Sequence, residues 1–110
     1  MKLSDVQQQL GPWQEHNFPG REAWEPLLGI AEELGELNHS FLKRHQQIRL
    51  EENHNAKIQD ALGDILIYMC DFANAEGLNL DQILEDTWVG VVKKRDWRPQ
   101  PEEAADADRS

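Results

Sequence analysis

Residues 56–76, AKIQDALGDILIYMCDFANAE, constrain this chain more than any other stretch. Ile58, Leu62, Ile65, Met69 and Phe72 recur at helical spacing, and from Ile65 to Met69 nearly every side of the helix is apolar. A helix of that kind is expected to be buried. Asp60 and Asp64 stand at its entrance, four residues apart and hence on one face. Asp64 is thus expected at the edge of a buried segment, where a bare carboxylate is costly. Either a cation neutralises it or its pKa rises.

Three further segments carry the same period. Leu3, Val6 and Leu10 predict a helix over about 3–16, broken by Phe18-Pro19-Gly20. A second begins near Pro26, a residue suited to a first helical turn, and runs to about His45. Its stripe is Leu27, Ile30, Leu34, Leu37 and Phe41. A polar loop from Gln46 to Asn55 leads into the 56–76 helix, which Gly77 is expected to stop. Asn79 and Gln82 are placed to cap a fourth helix that continues through Ile83, Leu84, Val91 and Val92 to about Arg95. No strand pattern and no internal repeat is evident. The expectation is an all-α, antiparallel four-helix bundle-like domain over residues 1–98, followed by a disordered acidic tail over 99–110.

Length and charge narrow the function. The chain has 110 residues, room for one small domain that benefits from a partner subunit. Acids outnumber bases 21 to 11, a net charge of -10, which argues against nucleic-acid binding. It leaves open a phosphate-bearing small molecule, because bound cations reverse a local field. The lone cysteine, Cys70, has no intrachain disulfide partner and is expected to be a core thiol. After Met1-Lys2-Leu3 the chain turns polar at Gln7, Gln8 and Gln9, unlike a secretory leader. Its longest apolar run, 65–70, falls far short of the ~20 residues that span a bilayer. The expectation is a cytoplasmic protein with no membrane partner.

The acids form a constellation. The second helix holds Glu32-Glu33-Leu34-Gly35-Glu36, with Glu33 and Glu36 on one face; the third holds Asp60-Ala61-Leu62-Gly63-Asp64. If the two helices run antiparallel, Glu33, Glu36, Asp60 and Asp64 converge. An oxygen-rich, self-repelling cluster suits a hard cation such as Mg²⁺, which keeps water and phosphate oxygens as further ligands. Gly35 and Gly63, beside these acids, would let a backbone or a substrate approach closely. The competing reading is that they are ordinary solvated helix faces.

Glu32-Glu33-x-x-Glu36, a spacer, then Asp60-Ala-Leu-Gly-Asp64-Ile-Leu-Ile-Tyr resembles the MazG-like branch of the all-α NTP pyrophosphatases. That superfamily includes dimeric dUTPases, dCTP pyrophosphatases and phosphoribosyl-ATP pyrophosphohydrolases. The resemblance spans about Trp13 to Trp97, with flanking likenesses at Trp13 to Gly20 and Val92 to Trp97. The family pattern has a Glu three residues before the Asp; here that position is Ala61, and Asp60 stands one residue earlier.

The resemblance implies a MazG-like fold completed by assembly into a homodimer or homotetramer. It implies that Glu33, Glu36 and Asp64, joined by Asp60, bind Mg²⁺, for which Mn²⁺ can substitute. Glu32 binds metal, orients water or takes its proton. The implied reaction splits a nucleoside triphosphate into the monophosphate and pyrophosphate.

Other residues carry two readings each. Lys93, Lys94 and Arg95 either complement the helix C-terminus or reach the triphosphate. Lys57, one turn before Asp60 and Asp64, is a second phosphate candidate. Trp13, Phe18 and Trp24 are either core or a wall for the base, with Asn17 a candidate base-edge partner. Glu36-x-x-His39 matches the Glu-x-x-His element of di-iron bundles, but its only counterpart, Glu51-x-x-His54, falls in the expected loop. A non-enzymatic alternative is a helical interaction module whose acidic face docks a basic partner.

Overall fold

A computed structural model describes residues 1–96, so the expected end of the domain at 98 and the tail over 99–110 lie outside the described residues. The described residues form four α-helices and no strand: α1 Leu3–Asn17, α2 Trp24–Gln46, α3 His54–Ala75 and α4 Leu80–Lys94. The all-α expectation holds, with boundaries moved by a few residues. No described helix is long and apolar enough to cross a membrane. The chain divides into two compact units, Met1–Leu80 and a second beginning at Asp81.

Local chemistry sets the helix ends. The Lys2 backbone N–H donates to the Asp5 carboxylate at 2.7 Å, placing an acid against the positive end of α1. Pro12 sits inside α1 and has no N–H for the Gln8 carbonyl. The helix ends where Phe18 N–H donates to Gln14 O at 2.7 Å, ahead of Gly20 at φ 75. α2 closes on Gln47, left-handed at φ 57, with Ile48 N–H donating to Lys43 O. α3 starts at a cap the sequence reading passed over: the Asn53 side chain accepts from Ala56 N–H at 3.0 Å. It stops as expected at Gly77, φ 69, where Leu78 N–H reaches Ala73 O at 2.8 Å.

In the first unit α2 and α1 both pack on α3. Gly29 meets Tyr68 at one end of the α2–α3 seam, and Arg44 donates to the Asn55 amide oxygen at 2.7 Å near the other, so the two helices run antiparallel. The seam is built of small residues: Gly29 and Ser40 on α2 and Ala61 on α3 are all buried. A Cβ placed on Gly29 would stand 2.5 Å from Tyr68 Cε1, so this glycine is where the helices touch most closely. By contrast Gly35 and Gly63, expected to permit close approach, face open space.

Leu10, Cys70, Ala73 and Pro26 are also buried, and Cys70 is fully enclosed as a core thiol. A polar node ties α1 to α3. Gln7 Nε2 donates to Asn74 Oδ1 and to Leu78 O, Asn74 Nδ2 donates to Gln7 O, and Leu80 N–H donates to Gln7 Oε1, all at 2.8–3.0 Å. Gln7 is buried, with both amide hydrogens and its oxygen satisfied.

Two expectations about burial fail. The α3 run was expected to be enclosed, yet Leu66 is 48% and Ile67 46% exposed. The α2 stripe is only partly covered: Pro26, Gly29 and Ser40 are buried and Ile30 and Leu37 half-buried, while Leu27, Leu34 and Phe41 stay exposed. Small side chains allow close helix contact, so the seam selects the narrow face of α2 over its most apolar one.

Candidate functional site

The antiparallel seam opens into a cleft of about 690 Å³ between α2 and α3. Glu32, Glu33 and Glu36 line it from α2, and Asp60, Asp64 and Lys57 from α3. Helical geometry explains this convergence: Glu33 and Glu36 lie within one turn, and Asp60 and Asp64 are one turn apart on the facing helix. Ala61, at the position where the resemblance has Glu, is buried in the same cleft, while neighbouring Asp60 is exposed there.

Partial burial, and then the charges of Glu36 and Asp64, push the Glu33 carboxyl above its usual range. The nearness of the Glu36 carboxyl acts in the same direction. Asp64 itself is exposed, not set at a buried edge. Mutual repulsion among carboxylates, rather than desolvation of Asp64, is therefore the force a cation would relieve. The all-oxygen donor set matches the preference of Mg²⁺. Among the described residues no group of three or more His, Cys, Asp or Glu side chains is placed to hold a metal ion as the side chains stand.

Lys57 is paired, but not with Asp64. Its Nζ lies 3.1 Å from Glu52 Oε2, and that hydrogen bond together with the ammonium charge holds the Glu52 carboxyl below its usual range. His39 and Ser40 also line the cleft and were not singled out as site residues. Counting three and four residues on from Glu36 would have found them, since both steps return to the same helix face.

The aromatic candidates lie elsewhere. Trp13 and Phe18 pack with ring centroids 5.8 Å apart, and Asn17 Nδ2 donates to Trp13 O at 2.8 Å. None of the three lines the acid cleft. Phe18 borders a separate pocket with Gln14, Arg21, Asp71 and Asn74, its ring beneath the Arg21 guanidinium. Trp24 donates its indole N–H to the Glu22 carboxylate.

In that second pocket Arg21 Nε and Asp71 Oδ2 form an ion pair at 2.6 Å, off the angle of a directed hydrogen bond. Burial pushes the Asp71 carboxyl up against the opposing pull of Arg21. Lys93, Lys94 and Arg95 close the second unit's helix at its C-terminal end. The two Glu-x-x-His elements line different pockets, Glu36 and His39 in the acid cleft, Glu51 and His54 around the 47–53 loop. His54 is the first residue of α3 and is buried, its ring Nε2 bonded to Ile48 O at 3.0 Å.

Compared with family models, with curated proteins and with solved structures, the chain matches none.

Proposed function

We propose that this protein is a Mg²⁺-dependent nucleoside-triphosphate pyrophosphohydrolase of the MazG-like kind. One observation carries the reading: the five acids chosen from sequence, together with Lys57, line a single cleft between two antiparallel helices. Acids that were merely solvated helix faces would have no reason to share one concavity with a lysine.

Glu33, Glu36, Asp60 and Asp64 would hold the ion. When bound, Mg²⁺ neutralises triphosphate oxygens and lowers the pKa of a water. Glu32, exposed at the cleft wall, would take the proton of the attacking water. Lys57 offers the ammonium hydrogens not engaged by Glu52 to a phosphate oxygen. Attack at the α-phosphorus gives the nucleoside monophosphate and pyrophosphate. Assembly into a homodimer or homotetramer belongs to the same proposal, supported by the exposed apolar stripe of α2 and the exposed side of α3.

A second reading, a helical module docking a basic partner on its acidic face, is favoured because no group of His, Cys, Asp or Glu among the described residues is placed to hold a metal ion. Assaying a panel of NTPs and dNTPs for pyrophosphate release, with Mg²⁺ and with EDTA, separates the two. Release that EDTA abolishes supports the hydrolase. No release from any member, with no thermal shift on adding Mg²⁺, favours the docking module.

A further inference from the structure

Charge is graded along the cleft. At the end nearest the α2–α3 connection the lining includes His39 from α2 and Lys57 from α3; Glu32, Glu33 and Asp64 lie at the far end. Seven residues separate His39 from Glu32, and seven separate Lys57 from Asp64, about 10 Å along each helix. The connection itself is strained. Gln47 and Arg49 both adopt left-handed backbone, φ 57 and φ 52, although neither is glycine. Such conformations are unfavourable for residues with a Cβ and persist where surrounding structure imposes them.

The second of these turns brings Arg49 back onto α2. Its Nη1 donates to His39 Nε2 at 3.3 Å, which makes that ring nitrogen an acceptor and leaves the proton of the neutral ring on Nδ1. A guanidinium carries five N–H donors and stays charged at all working pH values. One donor on His39 leaves a planar fork suited to phosphate oxygens. Arg49 also acts electrostatically on Glu52, the carboxylate that holds Lys57. The connection supplies the Arg49 guanidinium, which sits against His39 of α2, and His39 shares with Lys57 of α3 the same end of an otherwise acidic cleft.

We infer that Arg49 and His39, with Lys57, form an anion-binding clamp that receives the pyrophosphate half of the substrate, orienting it with its terminal phosphates toward the α2–α3 connection. This rests on the hydrolase reading and adds a direction to it: the α-phosphorus lies among the acids, and the leaving pyrophosphate is held at the connection. Arg49 is a positioning residue for the phosphate chain.

Calorimetric titration of the full chain with inorganic pyrophosphate, and separately with a nucleoside monophosphate, both with Mg²⁺, tests the clamp. Arg49→Gly removes the guanidinium and accepts the positive φ without strain, so folding is retained and the melting temperature holds or rises. Pyrophosphate affinity should fall about tenfold or more, the worth of one charge-assisted hydrogen bond, with monophosphate affinity within about twofold. Arg49→Lys should recover part of the loss. Equal pyrophosphate affinity in wild type and Arg49→Gly overturns the clamp, as does equal weakening of both ligands or no pyrophosphate binding by wild type. A wild type that binds pyrophosphate through Arg49 yet hydrolyses no nucleotide would sink the hydrolase reading and leave the clamp standing.

Discussion

Replacing Gly29 by alanine should destabilise the fold, against the ordinary helical preference for alanine. In an open helix interior this change gains about 1 kcal/mol. Here the new Cβ would lie 2.5, 2.6 and 2.8 Å from Cε1, Cζ and Cδ1 of Tyr68, where carbon contacts settle near ~3.5 Å or more. The ring must retreat by about 1 Å, and overpacking of that order costs ~1–3 kcal/mol. The net effect is a loss of up to ~2 kcal/mol. At about 4–8 °C per kcal/mol for a domain of this size, a drop of several degrees follows.

Position adds a functional consequence. Gly29 stands one turn from Glu33, and Tyr68 one turn from Asp64, so displacing this contact shifts the facing carboxylates. Activity should fall along with stability. A double-mutant cycle by thermal melting gives the cleanest signal. In a Tyr68→Ala background the clash is gone, and Gly29→Ala should become stabilising by ~1 kcal/mol. Stabilisation of equal size in both backgrounds would refute the close contact and, with it, the seam's control of the site.

Further outcomes are expected. Asp64→Asn should cut turnover by orders of magnitude while metal-free melting temperature holds or rises, because one repelling charge leaves the cleft; a large stability loss with normal specific activity would remove Asp64 from the site. Gln7→Leu removes the side-chain partner of Asn74 Oδ1, the Leu78 carbonyl and the half-buried Leu80 N–H, at about 1–2 kcal/mol in all because exposed Asn74 can turn to water, read by chemical denaturation; a change under ~0.5 kcal/mol would contradict the node. Glu33 titrates above its ordinary 4.5, so the folded state binds its proton more tightly than the unfolded chain. That contribution is complete below 4.5 and is lost as pH rises through the folded value. The metal-free melting temperature should therefore decline over that window more in wild type than in Glu33→Gln, with millimolar Mg²⁺ suppressing the decline. Identical profiles would count against the carboxyl cluster.

The helices were legible because period, proline and glycine are local signals, and the acid pairing followed once two helices were set antiparallel. What escaped depends on tertiary contact. Only part of the apolar stripe of α2 is covered, Ile30 and Leu37 by half, since Gly29, Ser40 and Ala61 allow a closer seam than Leu27, Leu34 and Phe41 would. Gln7 reads as surface until Asn74 and the Leu78–Leu80 backbone are brought to it. Trp13 and Phe18 pack on each other away from the acids, and Phe18 borders a different pocket. Arg49 was invisible as a site residue because its aim depends on two left-handed backbone positions that no side-chain pattern announces.

The most direct measurement is product identity. Each of the common NTPs and dNTPs is incubated with the purified chain and Mg²⁺, and nucleotide and phosphate products are separated and quantified. At least one substrate should yield nucleoside monophosphate and pyrophosphate in equal amounts, with formation of both abolished by EDTA and by Asp64→Asn. Diphosphate plus orthophosphate as products, or turnover indifferent to EDTA and to Asp64, would contradict a Mg²⁺-dependent pyrophosphohydrolase in this cleft.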